Sequence, residues 1–277
     1  MSPHGGRREI GVGHPSQIGE IGVTVDLMHP GDVAPHAFAP PDDVPGHLLT
    51  SGSSADVYAI DDERVLRRYR EGRDAAPEVD LLRHVRSHDF PAPDVLGADG
   101  PDIVMTRMHG PTLLQALGAG EFSLPDAAHV LADLHTMLHA VPAPPSWQAP
   151  QDRNWPQLGG GPVVVHLDLH PGNVVLTEQG PMVVDWANAS TGTPELDVAV
   201  TAVLIAEVAV DAGGDYSQAA RAVLAAFLHA SDVSPLAALD DAVALRSGAP
   251  GLLPGERELV PQAAALVRTM LELTEHP

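Results

Sequence analysis

The chain has 277 residues, 15 arginines, no lysine and no cysteine, and its formal net charge is −22. Without cysteine there is no disulfide scaffold, thiolate metal site, iron–sulfur cluster or cysteine nucleophile. Without lysine there is no Schiff base, pyridoxal anchor or Walker-type P-loop, and the negative field disfavours nucleic acid and anionic membranes while favouring cationic partners.

Hydrophobic residues make up 44% and charged residues 19%, which is globular rather than disordered. Arginine in place of lysine, with abundant Ala, Gly and Pro, reads as the coding bias of a GC-rich genome. Met1 to Glu20 lacks the apolar run of a targeting segment. The longest apolar stretch, Val198 to Val210, spans 13 residues and contains Thr201 and Glu207, short of the roughly 20 a membrane span needs. A cytoplasmic protein is expected.

Residues 1–46 are rich in Gly, Pro and His, and read as a partly flexible extension with a short strand at Ile18 to Leu27. His47 to Thr50, Asp56 to Ile60 and Val65 to Tyr69 read as strands, the last two joined by the acidic turn Asp61-Asp62-Glu63. Glu78 to His88 has Val79, Leu81, Leu82 and Val85 at helical spacing, and Pro91 and Pro93 follow it. Strands are expected near Asp94 to Leu96 and Ile103 to Thr106. Beyond Gly110-Pro111 the chain turns helical, at Thr112 to Leu117 and Leu124 to Ala140. A Pro- and Trp-containing loop covers Val141 to Gly161. Buried-strand patterns lie within Val163 to Leu176 and Met182 to Val184, and four helices follow near 195–210, 216–230, 235–246 and 256–274. There is no internal repeat.

Arg64, Arg67, Arg68, Arg70 and Arg73 fall within ten residues. In so acidic a chain that cluster is the obvious place to hold an anion. Residues 109–277 contain 19 Asp/Glu against 5 Arg, so an attraction for a polycationic molecule is expected there, with Glu195, Glu207, Asp211 and Asp215 as candidates.

Most of the chemistry sits in His166-Leu-Asp168-Leu-His170-Pro-Gly-Asn173, led in by Val163-Val164-Val165 and followed 12 residues after Asn173 by Asp185-Trp186. An Asp with an Asn five residues on can supply a hydroxyl-orienting base and a metal ligand from one loop, and Asp185 a second ligand from a neighbouring strand. Phosphoryl transfer needs that set.

These residues resemble the catalytic loop of the aminoglycoside phosphotransferase and choline kinase family, His-x-Asp-x-x-x-x-Asn, and Val184-Asp185-Trp186 resembles its metal-binding strand end. The resemblance covers roughly residues 47–210. It implies an α+β, two-lobed, protein-kinase-like fold: an antiparallel-sheet N-lobe at 47–108 and a mainly helical C-lobe at 109–277. It implies transfer of the γ-phosphoryl group of ATP or GTP, with Mg²⁺, to a hydroxyl of a small, cationic or amino-alcohol molecule. Asp168 would be the catalytic base, His166 a hydrogen-bonding support of the loop, Asn173 and Asp185 the magnesium ligands, and Asp197 a brace from the next helix. Gly52, Ser53 and Ser54 stand at the nucleotide-covering loop, and Met105, Arg107 and Met108 at the hinge that meets the base. Arg67 occupies the place of the family's nucleotide-pairing lysine, with Glu78 as its ion-pair partner. Arginine keeps the charge and pairs phosphate bidentately but is bulkier.

Two other readings compete. A nucleotide-binding module without catalysis shares the fold, but has no physical need for Asp168, Asn173 and Asp185 together. A metallohydrolase would use His166, Asp168 and His170, which share one face on a strand, with Asp185, and His135 and His139 as a zinc pair. His84 and His88 read as solvated, His135 and His139 as surface or packing residues, and Trp147, Trp155 and Trp186 as packing residues.

Overall fold

The computed structural model describes residues 46–52, 54–149, 157–211, 213–252 and 254–275. The strand read at Ile18 to Leu27, together with Ser53 and Trp155, lies outside them.

The N-terminal region is a five-stranded antiparallel sheet of order β1-β2-β3-β5-β4, from β1 (His47–Ser51), β2 (Ala55–Ala59), β3 (Arg64–Tyr69), β4 (Val95–Asp99) and β5 (Asp102–Thr106). Alternation decides its faces. Val65 and Tyr69 turn into one core with Val79, Ile103 and Met105, while Arg68 pairs sideways with Asp102 through two bonds of 2.7 and 2.6 Å. Helix α1 (Ala76–Ser87) covers this sheet with Val79, Leu81, Leu82 and Val85 buried. Pro77, immediately before Glu78, lies in its first turn, which the fixed φ of proline suits.

The helical region packs around α4 (Pro194–Asp211), nearly all of whose residues from Leu196 to Ala209 are buried. The apolar run at 198–210 is therefore a core helix, and no single helix among the described residues is long and apolar enough to cross a membrane. Around it lie α2 (Leu113–Gly118), α3 (Leu124–His139), α5 (Gly214–Ala230), α6 (Leu239–Ser247) and α7 (Pro254–Glu275). Thr112 and Gln115 form a reciprocal capping box on α2, and Ser123 caps α3.

Between α3 and α4 sit four short strands: β6 (Val163–Val165), β7 (Val174–Thr177), β8 (Gly180–Val183) and β9 (Ser190–Gly192). β7 and β8 form a hairpin with Val174 opposite Val183, and β6 pairs with β9. Of these β9 was not expected, because Ser-Thr-Gly carries no hydrophobic alternation. The pattern at Val163 to Leu176 breaks into β6 and β7 with the polar loop between, and the segment 235–238 is 3₁₀ helix rather than the start of α6.

Gly110, where the sheet gives way to the helices, has φ +139°, and a Cβ there would lie 2.0 Å from the Leu176 carbonyl oxygen. The next residue's carbonyl accepts the Leu176 N–H at 2.9 Å, so neither strand can retreat. Gly110→Ala is expected to destabilise the fold by about 2–4 kcal/mol, lowering Tm by roughly 5–10 °C, as thermal unfolding by circular dichroism will read.

Candidate active site

The loop after β6 is held from behind by one carboxylate. Asp197, in the first turn of α4, is fully buried. Its oxygens accept the His166 N–H at 3.1 and 3.2 Å and the Leu167 N–H at 2.7 Å. His139 Nε2 lies 3.0 Å from its Oδ2. Burial by itself would raise Asp197, yet the His139 hydrogen bond and the nearby positive charge and N–H groups hold it well below the usual carboxylate range. Leu167 sits at φ +61°, a conformation a branched side chain seldom adopts, and the Asp197 bond to its N–H fixes it there. Lower in the loop, Thr201 Oγ1 donates to the Leu169 carbonyl at 2.9 Å.

That anchoring orients Asp168 and Asn173. Asn173 Nδ2 donates to the Asp168 carbonyl at 2.9 Å, which leaves its side-chain oxygen turned from the loop. The β7–β8 hairpin brings Asp185 alongside, since Val184 N–H donates to the Asn173 carbonyl at 2.9 Å. His166 supports this junction, its Nε2 3.2 Å from the Val184 carbonyl and its ring edge-on to buried Trp186. Trp186 in turn packs edge-on to Phe90.

From the sheet side comes Arg67, whose Nη2 donates to Asp185 Oδ1 at 2.8 Å and whose Nε lies 3.4 Å from Glu78 Oε2. Glu78 also accepts the Tyr69 hydroxyl. Asp185 adopts φ +63° and keeps its carboxylate 41% exposed, so it reaches both Arg67 and open space. Burial would raise it, but the Arg67 guanidinium pulls it below its ordinary value. Asp168 behaves oppositely. Burial, with the Asp185 carboxylate adding to it, pushes Asp168 up to about 8, opposed by Arg246.

An oxygen-only set of Asp185 and Asn173 beside a partly exposed carboxylate fits Mg²⁺, which takes one or two protein ligands and completes its shell with phosphate and water. Imidazole ligation does not fit. His170 Nδ1 accepts the Gly172 N–H, His135 bonds Leu131 and Thr201, and His139 bonds Asp197. Among the described residues no group of three His, Cys, Asp or Glu is placed to hold a metal, so the hydrolase reading gains no support from this geometry.

Several expectations change. The arginine cluster is not one anion site. Arg64 pairs with Asp61, Arg68 with Asp102 and Arg70 with Asp56, leaving Arg67 at the site and Arg73 over the Tyr69 ring, with Nη2 bonded to Ala187 O. The Arg107 N–H is already used, donating to Glu63 O, and its guanidinium donates to Asp61 O. Met108 N–H has no hydrogen bond among the described residues, and Met105 is buried in the sheet core. Gly52 N–H is used within its own turn, donating to Ala55 O at 2.9 Å, and Ser54 accepts from Arg70. His139 is no surface residue but the partner of Asp197, while His135 packs against Phe227 as expected.

Beside Asp168 opens a cavity of about 610 Å³, also lined by Leu167, Asn188, Thr193, Asp241 and Arg246. None of Glu195, Asp211 and Asp215 lines it, and Glu207 lies behind it, forked by Arg246. Arg246 was missed. Its one sequence signal is that it is the lone arginine between Arg221 and Arg257, which carries no chemistry without the fold.

Asp168 and Asn173 thus share one loop, with Asp185 beside them and the Arg67 guanidinium reaching in from the sheet. The family model described as the phosphotransferase enzyme family (APH) matches residues 46–158 and 143–238, and the chain belongs to that family. The expected class, a phosphotransferase acting on alcohol groups, stands. No curated protein sequence matches it. Among solved structures, a streptomycin–ATP complex of APH(2″)-IIa superposes with TM-score 0.51 at 16% identity, covering 80% of this chain and 90% of that one. An amicoumacin kinase bound to AMP-PNP and Ca²⁺ gives 0.50 at 14% identity, over 79% and 87%. A choline/ethanolamine kinase family protein from Mesorhizobium loti gives 0.50 at 13%, over 83% and 89%. At these identities the likeness is one of fold.

The raised Asp168 has a stability consequence. Its folded value lies above its unfolded one, so its contribution is intact below about pH 4 and lost as pH rises toward about 8. Asp168→Asn removes that dependence. The variant's thermal stability relative to wild type is expected to grow between pH 5 and pH 8, by up to a few kcal/mol. Asp197→Asn is expected to lose about 2–4 kcal/mol, because it removes a buried charge shared by two N–H groups and His139.

Proposed function

We propose that this phosphotransferase moves the γ-phosphoryl group of ATP or GTP to a hydroxyl of a small molecule. The observation that carries the reading is the meeting of Asp168, Asn173 and Asp185 at the ends of β6 and the β7–β8 hairpin, directly under Arg67. Asp168 accepts and orients the attacking hydroxyl. Its raised proton affinity suits a base that takes the proton as the oxygen–phosphorus bond forms. Arg67, held by Glu78, turns from Asp185 to the phosphates. Asn173 and Asp185 would hold Mg²⁺, which neutralises phosphate charge when bound. Met108 N–H is the free hinge donor for the base, with Met105 packed behind it. Gly52, Ser53 and Ser54 cover the phosphates mainly by shape. His166 and Asp197 keep Asp168 in place.

Residues 47–108 and 109–277 act as the two lobes, with 1–46 as an extension. The reaction needs a pool of nucleoside triphosphate, which points to the cytoplasm. The solved relatives' names include streptomycin, gentamicin, amicoumacin and choline/ethanolamine. What this chain takes from them is the reaction type, a hydroxyl accepting phosphate. An amine-bearing acceptor draws support from the net charge alone.

A second reading, nucleotide binding with little turnover, has one observation in its favour. Arg67 already bonds the carboxylate a cation needs. Kinetics separate the two. Asp168→Ala is expected to cut kcat at least about 10³-fold while leaving nucleotide Kd within about threefold. Asp185→Ala is expected to weaken Mg²⁺-nucleotide binding, and Arg67→Ala to raise nucleotide Kd about tenfold or more, by calorimetry. Wild-type turnover in Asp168→Ala would remove Asp168 as the base. Tight nucleotide binding without turnover on any acceptor would favour the second reading.

A further inference from the structure

The cavity beside Asp168 has the size of a small-molecule site, and its lining speaks to what enters. One wall is aliphatic, built from Leu158, Leu167, Leu196, Val200, Leu204 and Leu245. Among the described lining residues there is no aromatic ring, so nothing there can cage a quaternary ammonium by cation–π attraction. The charges are few. Arg246 projects from α6, and Glu207 of α4 closes on it, with Nε 3.0 Å from Oε1 and Nη2 3.0 Å from Oε2. The fork is charge-balanced, and among the described lining residues Asp168 and Asp241 are the carboxyl groups outside it. Asp168 is the group that meets the hydroxyl. A molecule with three or more ammonium groups would therefore carry uncompensated charge against an aliphatic wall, which disfavours its binding. Arg246 Nη1 has no protein acceptor among the described residues, so the fork can offer a hydrogen bond to a neutral oxygen on the ligand.

We infer that the acceptor is an amphipathic hydroxyl compound of low charge, with its apolar body on the α4–α6 wall and a neutral oxygen, carbonyl or ether, on Arg246. The inference rests on the phosphotransfer reading of Asp168. It makes Arg246 a specificity-determining residue, positioned by Glu207. It also separates the chain's overall acidity, which acts at long range, from the cleft, which decides what binds. For all the −22 charge of the chain, the described lining holds two carboxyl groups, Asp168 and Asp241.

The experiment uses the full chain loaded with Mg²⁺-nucleotide, and alkyl glucosides of increasing chain length as uncharged probes beside an aminoglycoside with four amino groups. ADP or GDP release is read as kcat and KM at 50 and 500 mM salt. KM for the glucosides is expected to fall about three- to fourfold per added methylene until the cavity is full, and to change little with salt. Because Arg246→Gln alone strands a buried Glu207, the double variant E207Q/R246Q is the test protein. Its KM for the best glucoside is expected to rise about tenfold, with nucleotide Kd changed less than about twofold and Tm retained. Preferential turnover of the aminoglycoside with strong salt dependence would overturn the inference and leave the kinase reading intact. A glucoside series with no chain-length trend, or an unchanged KM in the double variant, would also overturn it. Failure to bind nucleotide at all would instead overturn the phosphotransfer reading on which it rests.

Discussion

The Asp197 carboxylate is the constraint on which the site depends. A loop that presents Asp168 outward cannot also bond its own N–H groups in a regular ladder, and the His166 and Leu167 amides would be stranded in the core without an acceptor. One buried charge resolves both, and it does so from the first turn of the helix around which the C-terminal region packs. The position of Asp168 is thus referred to the hydrophobic core rather than to the surface. The positive φ of Leu167 records the conformational cost, and His139 on α3 completes the hydrogen bonding of the carboxylate.

The second organising feature is the chain of ionic contacts across the junction between sheet and helices. Tyr69 bonds Glu78, Glu78 faces Arg67, and Arg67 reaches Asp185. Every link spans two elements, β3 to α1 and then to the end of β8. Each charge is partly or wholly buried, so removing a member exposes the next to an unpaired state. That coupling, more than a single bond, holds the Arg67 guanidinium of the sheet against Asp185.

Much of this was legible in the sequence, for physical reasons. Helix α1 carries a 3.6-residue pattern because one face of it is buried, while β3 and β5 show as short apolar runs buried on both faces. The Asp-x-x-x-x-Asn spacing and the later Asp-Trp locate the site because a short loop and a hairpin fix relative position nearly as well as covalent bonds do. What could not be read were relations between distant segments. The five arginines are adjacent in sequence, but on β3 successive side chains point to opposite faces, which sends Arg68 to Asp102 and Arg67 to Asp185. The acidity of the C-terminal half also misled, because net charge says nothing about which acids line the cavity. Arg246, His139 and the fork at Glu207 emerge only once α3, α4 and α6 are packed.

The guanidinium at Arg67 has a practical corollary. Reagents that tag nucleotide sites by acylating a lysine beside the phosphates need an amine that can lose its proton, and no lysine exists in this chain. Arg67 is buried between two carboxylates, and these raise its proton affinity further, so it is inert to such chemistry. Proteome-wide surveys that recover kinases by lysine labelling would pass over this protein even where it is abundant.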